Sequence, residues 1–589
     1  ILKMLGSSPA RTNSTPGTEV AGPGKGSCSS TSIFSMAAPG GSFVLDKAAL
    51  VPRHASSDFV EAHYRLIREL GRGSFGRVGL VSDRSTGDKR VCKTIDTANM
   101  HPYVLELMRK EIELLRRLDH PHIVKLYEYS EDPGRHQIVL LLEYLPGGDC
   151  LSLLHRSGGV LEEAVVARLV HQVLLSLSYC HAQGVLHRDV KPENMMLSGP
   201  VEASGWGPRG LPDCKLIDFG LASSARPPGE PETSGWPPPS KEFLGTPPYM
   251  APETIRRGCG HSTKTDIWAT GVTALELLAG VCPFGKPADH NGDCAPVFEN
   301  VKRYSDLEDL EDLLESAPGW GDRSEESTDF LGSLLELDPE ERPEASEALE
   351  FGWLEEHKVP LKGITGEMLR GLTSYADAPL LAKYCLYIVA ARLSVPDMQR
   401  FGTAFLYIDR DRDGRISRDE LEETLNEAAR WWGPTVDADE VFEAADLSKT
   451  GSLSFTEFVA ACLCARQRDL EDLATSAFDA LDDDRDGLVR VSDIRKLFGD
   501  CEFPLLHRLP QERPFDLDEW CARFTGRPHS SRSAGTKPRC VKAQGLVDRV
   551  LDRFSCTTTC TPFGRREFII APTERLEGCS SPVRGRVSC

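Results

Sequence analysis

Long apolar runs are missing from this 589-residue chain. A helix needs about 20 consecutive apolar residues to cross a bilayer, and the best stretch, 380–393, is broken by Lys383 and again by Arg392. No transmembrane segment is expected. A surplus of positive charge is missing too: 68 Lys and Arg face 89 Asp and Glu, a formal net charge of −21. That balance argues against nonspecific binding to nucleic acid and suits cations or basic substrates. The 18 cysteines lack a repeating frame, and several, such as Cys180 and Cys385, sit in apolar stretches. A reducing, cytoplasmic setting is expected rather than a disulfide scaffold. Neither Met4-Leu5 nor Met36-Ala37 offers the Met-Gly start that myristoylation needs, and 586–589 does not read as a prenylation box. Cys540, Cys556, Cys560, Cys579 and Cys589 have no histidine partners and make a poor zinc pattern.

What is present divides the chain. Residues 1–58 are rich in Gly, Ser, Pro and Ala without periodicity and read as disordered. A compact region spans 64–353, a helical junction 361–396, acidic helix–loop–helix units 397–524, and a flexible tail 525–589. Pro/Gly-rich stretches at 198–212 and 225–240 fit neither a helix interior nor a central strand, so they read as surface insertions.

Gly71, Gly73, Ser74, Gly76 and Val78 belong to a glycine-rich turn between two apolar flanks, where backbone N–H groups can approach phosphate. Such a turn is weak evidence alone. Lys93 ends an alternating stretch, and Glu111 follows on a helical pattern; in this order they read as an ion pair whose lysine holds the α/β phosphates. The string from His187 to Asn194, followed by Asp218-Phe219-Gly220, is the strongest signal. Asp189 would accept the proton of the attacking hydroxyl, and Lys191 would neutralise charge on the transferred group. Asn194 and Asp218 would hold Mg²⁺, a hard cation that takes oxygen ligands.

These residues resemble the protein kinase family over 64–353. Gly245 to Glu253 looks like the substrate-docking loop, and Asp266-Ile267-Trp268 and Arg342-Pro343 match later landmarks. The resemblance implies ATP as donor and an Arg342–Glu253 pair. It puts Leu142 at the gatekeeper, Glu143 to Leu145 at the adenine hinge, and Asp149 and Glu193 near ribose or a basic substrate side chain. Lys191 with Thr246 resembles the serine/threonine branch, with protein substrates carrying an upstream Arg or Lys. Glu242, three residues before Gly245, could pair with Arg188 in place of a phosphate.

A calcium loop needs oxygen ligands at positions one, three, five, seven, nine and twelve, with glycine at six. The stretch 409–420 meets this fully with Asp409, Asp411, Asp413, the carbonyl of Arg415, Ser417 and Glu420. The stretch 446–457 fits with Asp446, Ser448, Thr450, the carbonyl of Ser452, Ser454 and Glu457; fewer carboxylates imply weaker binding. At 482–493, Asp482, Asp484, Asp486 and the carbonyl of Leu488 fit, but Arg490 needs a water in its place and Asp493 is shorter than glutamate. Loop starts 37 and 36 residues apart indicate repeated units. Ile416 should pair with Leu453, and Val489 with Phe515 of a fourth, damaged unit whose stretch 507–514 has Arg, Pro and Leu where ligands belong, so no metal is expected there.

The whole resembles the calcium-dependent protein kinases. That resemblance implies a multidomain chain, a two-lobed α+β kinase fold followed by an all-α, calmodulin-like EF-hand domain, monomeric and using ATP, Mg²⁺ and Ca²⁺. It casts 361–396 as an autoinhibitory helix released by calcium. Two other readings stay open: a calcium-responsive scaffold whose kinase fold is inactive, and a constitutively active kinase with a structural calcium module.

Overall fold

The computed structural model describes residues 47–525 apart from 74–75, 202–210, 225–244, 256–260, 358–362, 465–473, 483–485, 494–513 and a few shorter gaps. Ser74, Glu242, Asp484 and most of both insertions therefore lie outside the described residues, as does the tail beyond 525.

The first lobe is a six-stranded sheet in the order β1-β5-β6-β4-β3-β2. Strand β1 (Arg53–His54) precedes the short helix α1 (Asp58–His63), and β2 (Tyr64–Gly73), β3 (Gly76–Asp83) and β4 (Lys89–Asp96) follow. Burial alternates along much of β4, as expected for a strand with one face turned inward. Helix α2 (Pro102–Arg117) starts on Pro102, whose missing N–H costs nothing in a first turn, and points Glu111, Ile112 and Leu115 inward. Then come β5 (Leu126–Asp132) and β6 (Gln137–Glu143), the latter apolar on both faces because it runs through the middle of the sheet.

The expectation of disorder over 1–58 fails at its end. Lys47–Leu50 forms a 3₁₀ turn, and β1 lies parallel on β5. His54 Nε2 meets Glu128 at 2.9 Å, and Asp132 accepts from Ser57 N at 2.9 Å. These partners lie more than 70 residues along the chain, so local composition carries no trace of them. Residues 1–46 lie outside the described residues.

The second lobe is built around α3 (Glu163–Ala182) and α4 (Thr263–Ala279), apolar around most of their circumference and buried accordingly. Gly280 ends α4 at φ 79°, and a Cβ there would stand 2.1 Å from Gly159 O, so only glycine fits.

The junction is two helices rather than one: α5 (Gly366–Ala376) and α6 (Leu380–Arg392). The break falls at Pro379, which cannot donate a helical hydrogen bond and pushes its predecessor out of helical geometry. Helix α6 is apolar around its circumference apart from Lys383 and Arg392. The units that follow, α7 (Val395–Ile408), α8 (Arg418–Trp432), α9 (Ala438–Ala445), α10 (Phe455–Leu463) and α11 (Leu517–Thr525), enclose it in one core with Cys385, Leu386, Tyr387 and Ile388 at its centre. The expected loop pairings are present: Ile416 with Leu453, and Val489 with Phe515.

This module docks on the kinase lobes away from the catalytic segment. The carbonyls closing α6 accept from the first lobe: Ala390 O from Lys125 Nζ at 3.3 Å, Arg392 O from Arg90 at 3.5 Å, and Leu393 O from Tyr127 Oη at 3.0 Å. Cations at a helix C-terminus also offset its dipole. Asp119, after α2, accepts from Thr456 N and Thr456 Oγ1, both at 2.9 Å, so it caps α10 from another domain. Lys47 stands 3.2 Å from the same carboxylate. Burial works against the Asp119 charge, but Lys47, Lys125 and the Thr456 donors hold its pKa below the usual carboxylate value. On the second lobe, Ser178 Oγ donates to Arg412 O at 2.7 Å, and Gly414, at φ 76°, lies flat on Tyr179, where a Cβ would stand 2.4 Å from the ring.

His122 lies buried near this seam, its Nδ1 2.8 Å from Cys214 O. Burial, helped by Lys215 and Arg168 and opposed by Asp213, pushes its pKa down to about 4. The native state therefore keeps it neutral while the unfolded chain takes a proton near pH 6.5. Its contribution is complete above pH 6.5 and is lost as the pH falls toward 4, at most about 3 kcal/mol. Thermal unfolding followed across that window should steepen with acid, and His122→Gln should flatten the slope; an identical slope would count against this assignment.

Candidate functional site

Asp266, at the start of α4, organises the catalytic segment. Its carboxylate accepts from His187 N at 2.9 Å, from Arg188 N at 2.7 Å, and meets His181 Nε2 at 3.0 Å. Arg188 and Asp218 both occupy the left-handed region, φ 64° and 62°, a costly conformation that surrounding contacts must hold. One such contact is Arg188 Nε to Leu221 O at 2.6 Å. Another is buried Phe219 stacked edge-on against His187.

The Asp189 carboxylate is gripped on both oxygens. Oδ1 accepts from Thr246 Oγ1 at 2.6 Å; Oδ2 accepts from Lys191 Nζ at 2.6 Å and Asn194 Nδ2 at 3.0 Å. Lys191 also donates to Thr246 Oγ1 at 2.7 Å. Asn194 spends its amide hydrogens on Asp189, which leaves its oxygen available to a cation.

Strand register puts Lys93 beside Val78 on β3 and Leu140 on β6, and its Nζ reaches Glu111 at 3.4 Å. Burial opposes the charge of both. Glu111 and Asp218 overcome it at Lys93, whose pKa rises, while at Glu111 burial and Asp218 outweigh Lys93 and the pKa rises as well. A Cβ at Gly76 would stand 1.8 Å from Thr94 O, so this position must be glycine, whereas Gly71 meets nothing within 4 Å. Gly73 pairs with Gly76 across the turn.

Two residues expected near the nucleotide spend their carboxylates within the protein. The buried Glu143 carboxylate pairs with Lys215 at 2.9 Å and accepts from Lys125 N at 3.1 Å. Asp149 caps the helix Cys150–Arg156 through Ser152 N at 2.7 Å. With its carboxylate spent on Lys215, Glu143, like buried Leu145, has its backbone to offer at the hinge. Arg342 and Glu253 form the implied pair, bidentate at 2.7 and 2.9 Å. Reading the motifs one by one missed Thr246 and Asp266 as members of the site, although both stand in quoted motifs.

The three acidic loops repeat one geometry. Gly414, Gly451 and Gly487 all have φ between 76° and 82°, and each donates its N–H to the loop's first aspartate, at 3.0, 3.1 and 2.9 Å. The twelfth residue folds back as well: Glu420 accepts from Ser417 N at 2.8 Å, Glu457 from Ser454 N at 2.8 Å, and Asp493 from Arg490 N at 2.9 Å. The first loop fits a metal on its own evidence. Carboxylate oxygens of Asp409, Asp411 and Asp413 lie within 4.8 Å of one another, and the buried Oδ1 of Asp409 has no hydrogen-bond partner. Burial and then the facing carboxylates push Asp409 up to about 9 and Asp413 to about 6. A divalent cation would relieve both the crowding and the orphaned oxygen.

The cysteines among the described residues are free thiols, and no helix among them is long and apolar enough to cross a membrane.

Comparison with known proteins agrees with this geometry. A protein kinase domain family model matches residues 64–354, and an EF-hand domain pair model matches 398–463. Calcium-dependent protein kinase 8 of Arabidopsis thaliana is 31% identical over 440 residues, covering 74% of this chain and 76% of that protein. Calcium-dependent protein kinase 7 of the same plant is 30% identical over 75% of this chain and 76% of its own length. Calcium-dependent protein kinase 20 of Oryza sativa subsp. japonica is 29% identical over 77% and 76%. With the grip on Asp189, the Lys93–Glu111 pair and the repeated loop geometry all on one chain, the protein belongs to the calcium-dependent protein kinase family and is a protein serine/threonine kinase.

Proposed function

We propose that the chain is a calcium-activated kinase that transfers the γ-phosphoryl group of ATP, held with Mg²⁺, to serine or threonine hydroxyls of proteins. The observation that carries this is the Asp189 carboxylate fixed by Thr246, Lys191 and Asn194. Fixed this way, Asp189 takes the hydroxyl proton as the new P–O bond forms and the bond to the β-phosphate oxygen breaks. Lys191 offsets charge on the moving group, Lys93 steadies the α/β phosphates, and Asn194 and Asp218 present oxygens to Mg²⁺, which neutralises phosphate charge when bound. Exposed Glu193 supports substrates with an upstream Arg or Lys.

Calcium acts by shifting populations. With the first loop filled, the EF-hand units hold the largely apolar α6 and keep the module against Arg90, Lys125 and Tyr127. Without metal, the released junction blocks substrate or holds the lobes unproductively. A monomeric, cytoplasmic protein accords with the free thiols among the described residues and with a largely apolar helix covered by its own chain.

Phosphate transfer to a basic Ser/Thr peptide should be strong with micromolar free calcium and fall toward background in EGTA. Equal rates in both would leave the calcium module structural; no turnover in either would leave a scaffold.

A further inference from the structure

Position seven of the first loop is Arg415, and this one residue faces two metal sites. Its backbone carbonyl is a ligand position of its own loop. Its side chain crosses the Ile416–Leu453 pairing into the second loop. There the guanidinium donates to Thr450 Oγ1 at 2.7 Å, to Ser452 O at 3.2 Å, and to Ser452 Oγ. Thr450 Oγ1 and Ser452 O are the position-five and position-seven ligands of the second loop. A metal held there would put a second cation on the same oxygens.

The two loops differ in how far their ligand atoms are already satisfied. In the first, Asp409 Oδ2, Asp411 Oδ1 and Asp413 Oδ1 accept only backbone N–H groups of the loop, from Gly414, Asp413 and Arg415, and Asp409 Oδ1 is buried without a partner. In the second, Asp446 Oδ1 accepts from Thr450 N at 3.1 Å and from Ser448 Oγ at 3.4 Å, Asp446 Oδ2 from Gly451 N at 3.1 Å, and Thr450 Oγ1 donates to Ser452 O at 2.9 Å. The second loop also has two carboxylates, Asp446 and Glu457, against Asp409, Asp411, Asp413 and Glu420 in the first. Less negative charge and a resident cation act in the same direction.

We propose that Arg415 is a built-in competitor for calcium in the second loop, so that the lobe fills in two separated steps. Calcium enters the first loop without hindrance and fixes the Arg415 backbone. A second calcium enters only by expelling the guanidinium from Thr450 and Ser452. This rests on the reading of both loops as calcium sites and adds an order of filling and a residue that sets it.

The test is a calcium-binding isotherm on the full chain by titration calorimetry, read as affinities rather than as kinase activity. The second-loop step is the one abolished by Asp446→Asn. Arg415→Gln should tighten that step by about tenfold or more, the worth of one charge-assisted hydrogen bond. Arg415→Lys, which keeps the charge but loses the planar fork, should move it in the same direction. Arg418→Gln removes equal charge from a side chain paired with Asp439 and Glu443 and should leave the step unchanged. An unmoved step in both Arg415 variants, or an equal shift in Arg418→Gln, overturns the proposal alone. If Asp446→Asn abolishes no step whether or not Arg415 is present, the second loop is not a calcium site, and the proposal falls with that part of the functional reading.

Discussion

Asp189→Asn should lower kcat by about two to four orders of magnitude while leaving the KM for ATP nearly unchanged. Asparagine keeps the size of the side chain and can still accept from Thr246, but it cannot take the proton of the attacking hydroxyl. It also strips Lys191 of its 2.6 Å partner. ATP binding should survive, because Lys93, Glu111 and the glycine turn belong to the other lobe. The calcium isotherm should be unchanged, which separates lost chemistry from lost folding. Steady-state kinetics with saturating calcium settle it: a loss of less than about tenfold would remove Asp189 from the role of base.

Asp119→Ala should have the largest effect on the joining of the two halves. Its carboxylate is buried, pairs with Lys47, and caps α10 through both donors of Thr456. Deleting it leaves a buried ammonium without a counter-charge and two donors without an acceptor, a loss of about 3–5 kcal/mol. The cost should appear as a lower melting temperature and as kinase activity that calcium no longer raises, with calcium affinity at the first loop kept. Thr456→Val, which removes only the hydroxyl, should cost about 1 kcal/mol. Unchanged melting and unchanged calcium stimulation in Asp119→Ala would show that the carboxylate does not couple the halves.

Chemistry that depends on spacing was readable along the chain. The interval from Asp189 to Asn194 and on to Asp218, and a glycine at the sixth place of each loop, are local constraints that the backbone enforces, and φ near 80° at Gly451 and Gly487 is their physical form. Destinations of side chains were not readable. Asp119 meets Thr456 across 337 residues, and Lys47 meets Leu118 O across 71. Glu143 and Asp149 sit at the expected places, yet their carboxylates satisfy Lys215 and Ser152. Arg415 reaches the second loop only because two loops pair, a fact of tertiary structure. The single junction helix failed on a local signal that was available, Pro379.

The parallel strand β1 has a practical consequence. By lying along β5 it occupies hydrogen-bonding groups at what would otherwise be the outer rim of the sheet. An open rim of that kind recruits other chains and promotes aggregation. The same short segment carries Lys47, so trimming the protein to start at the glycine turn would produce a sticky sheet and strand the carboxylate that faces the calcium module. Material made for solubility and crystallisation should therefore begin upstream of Lys47.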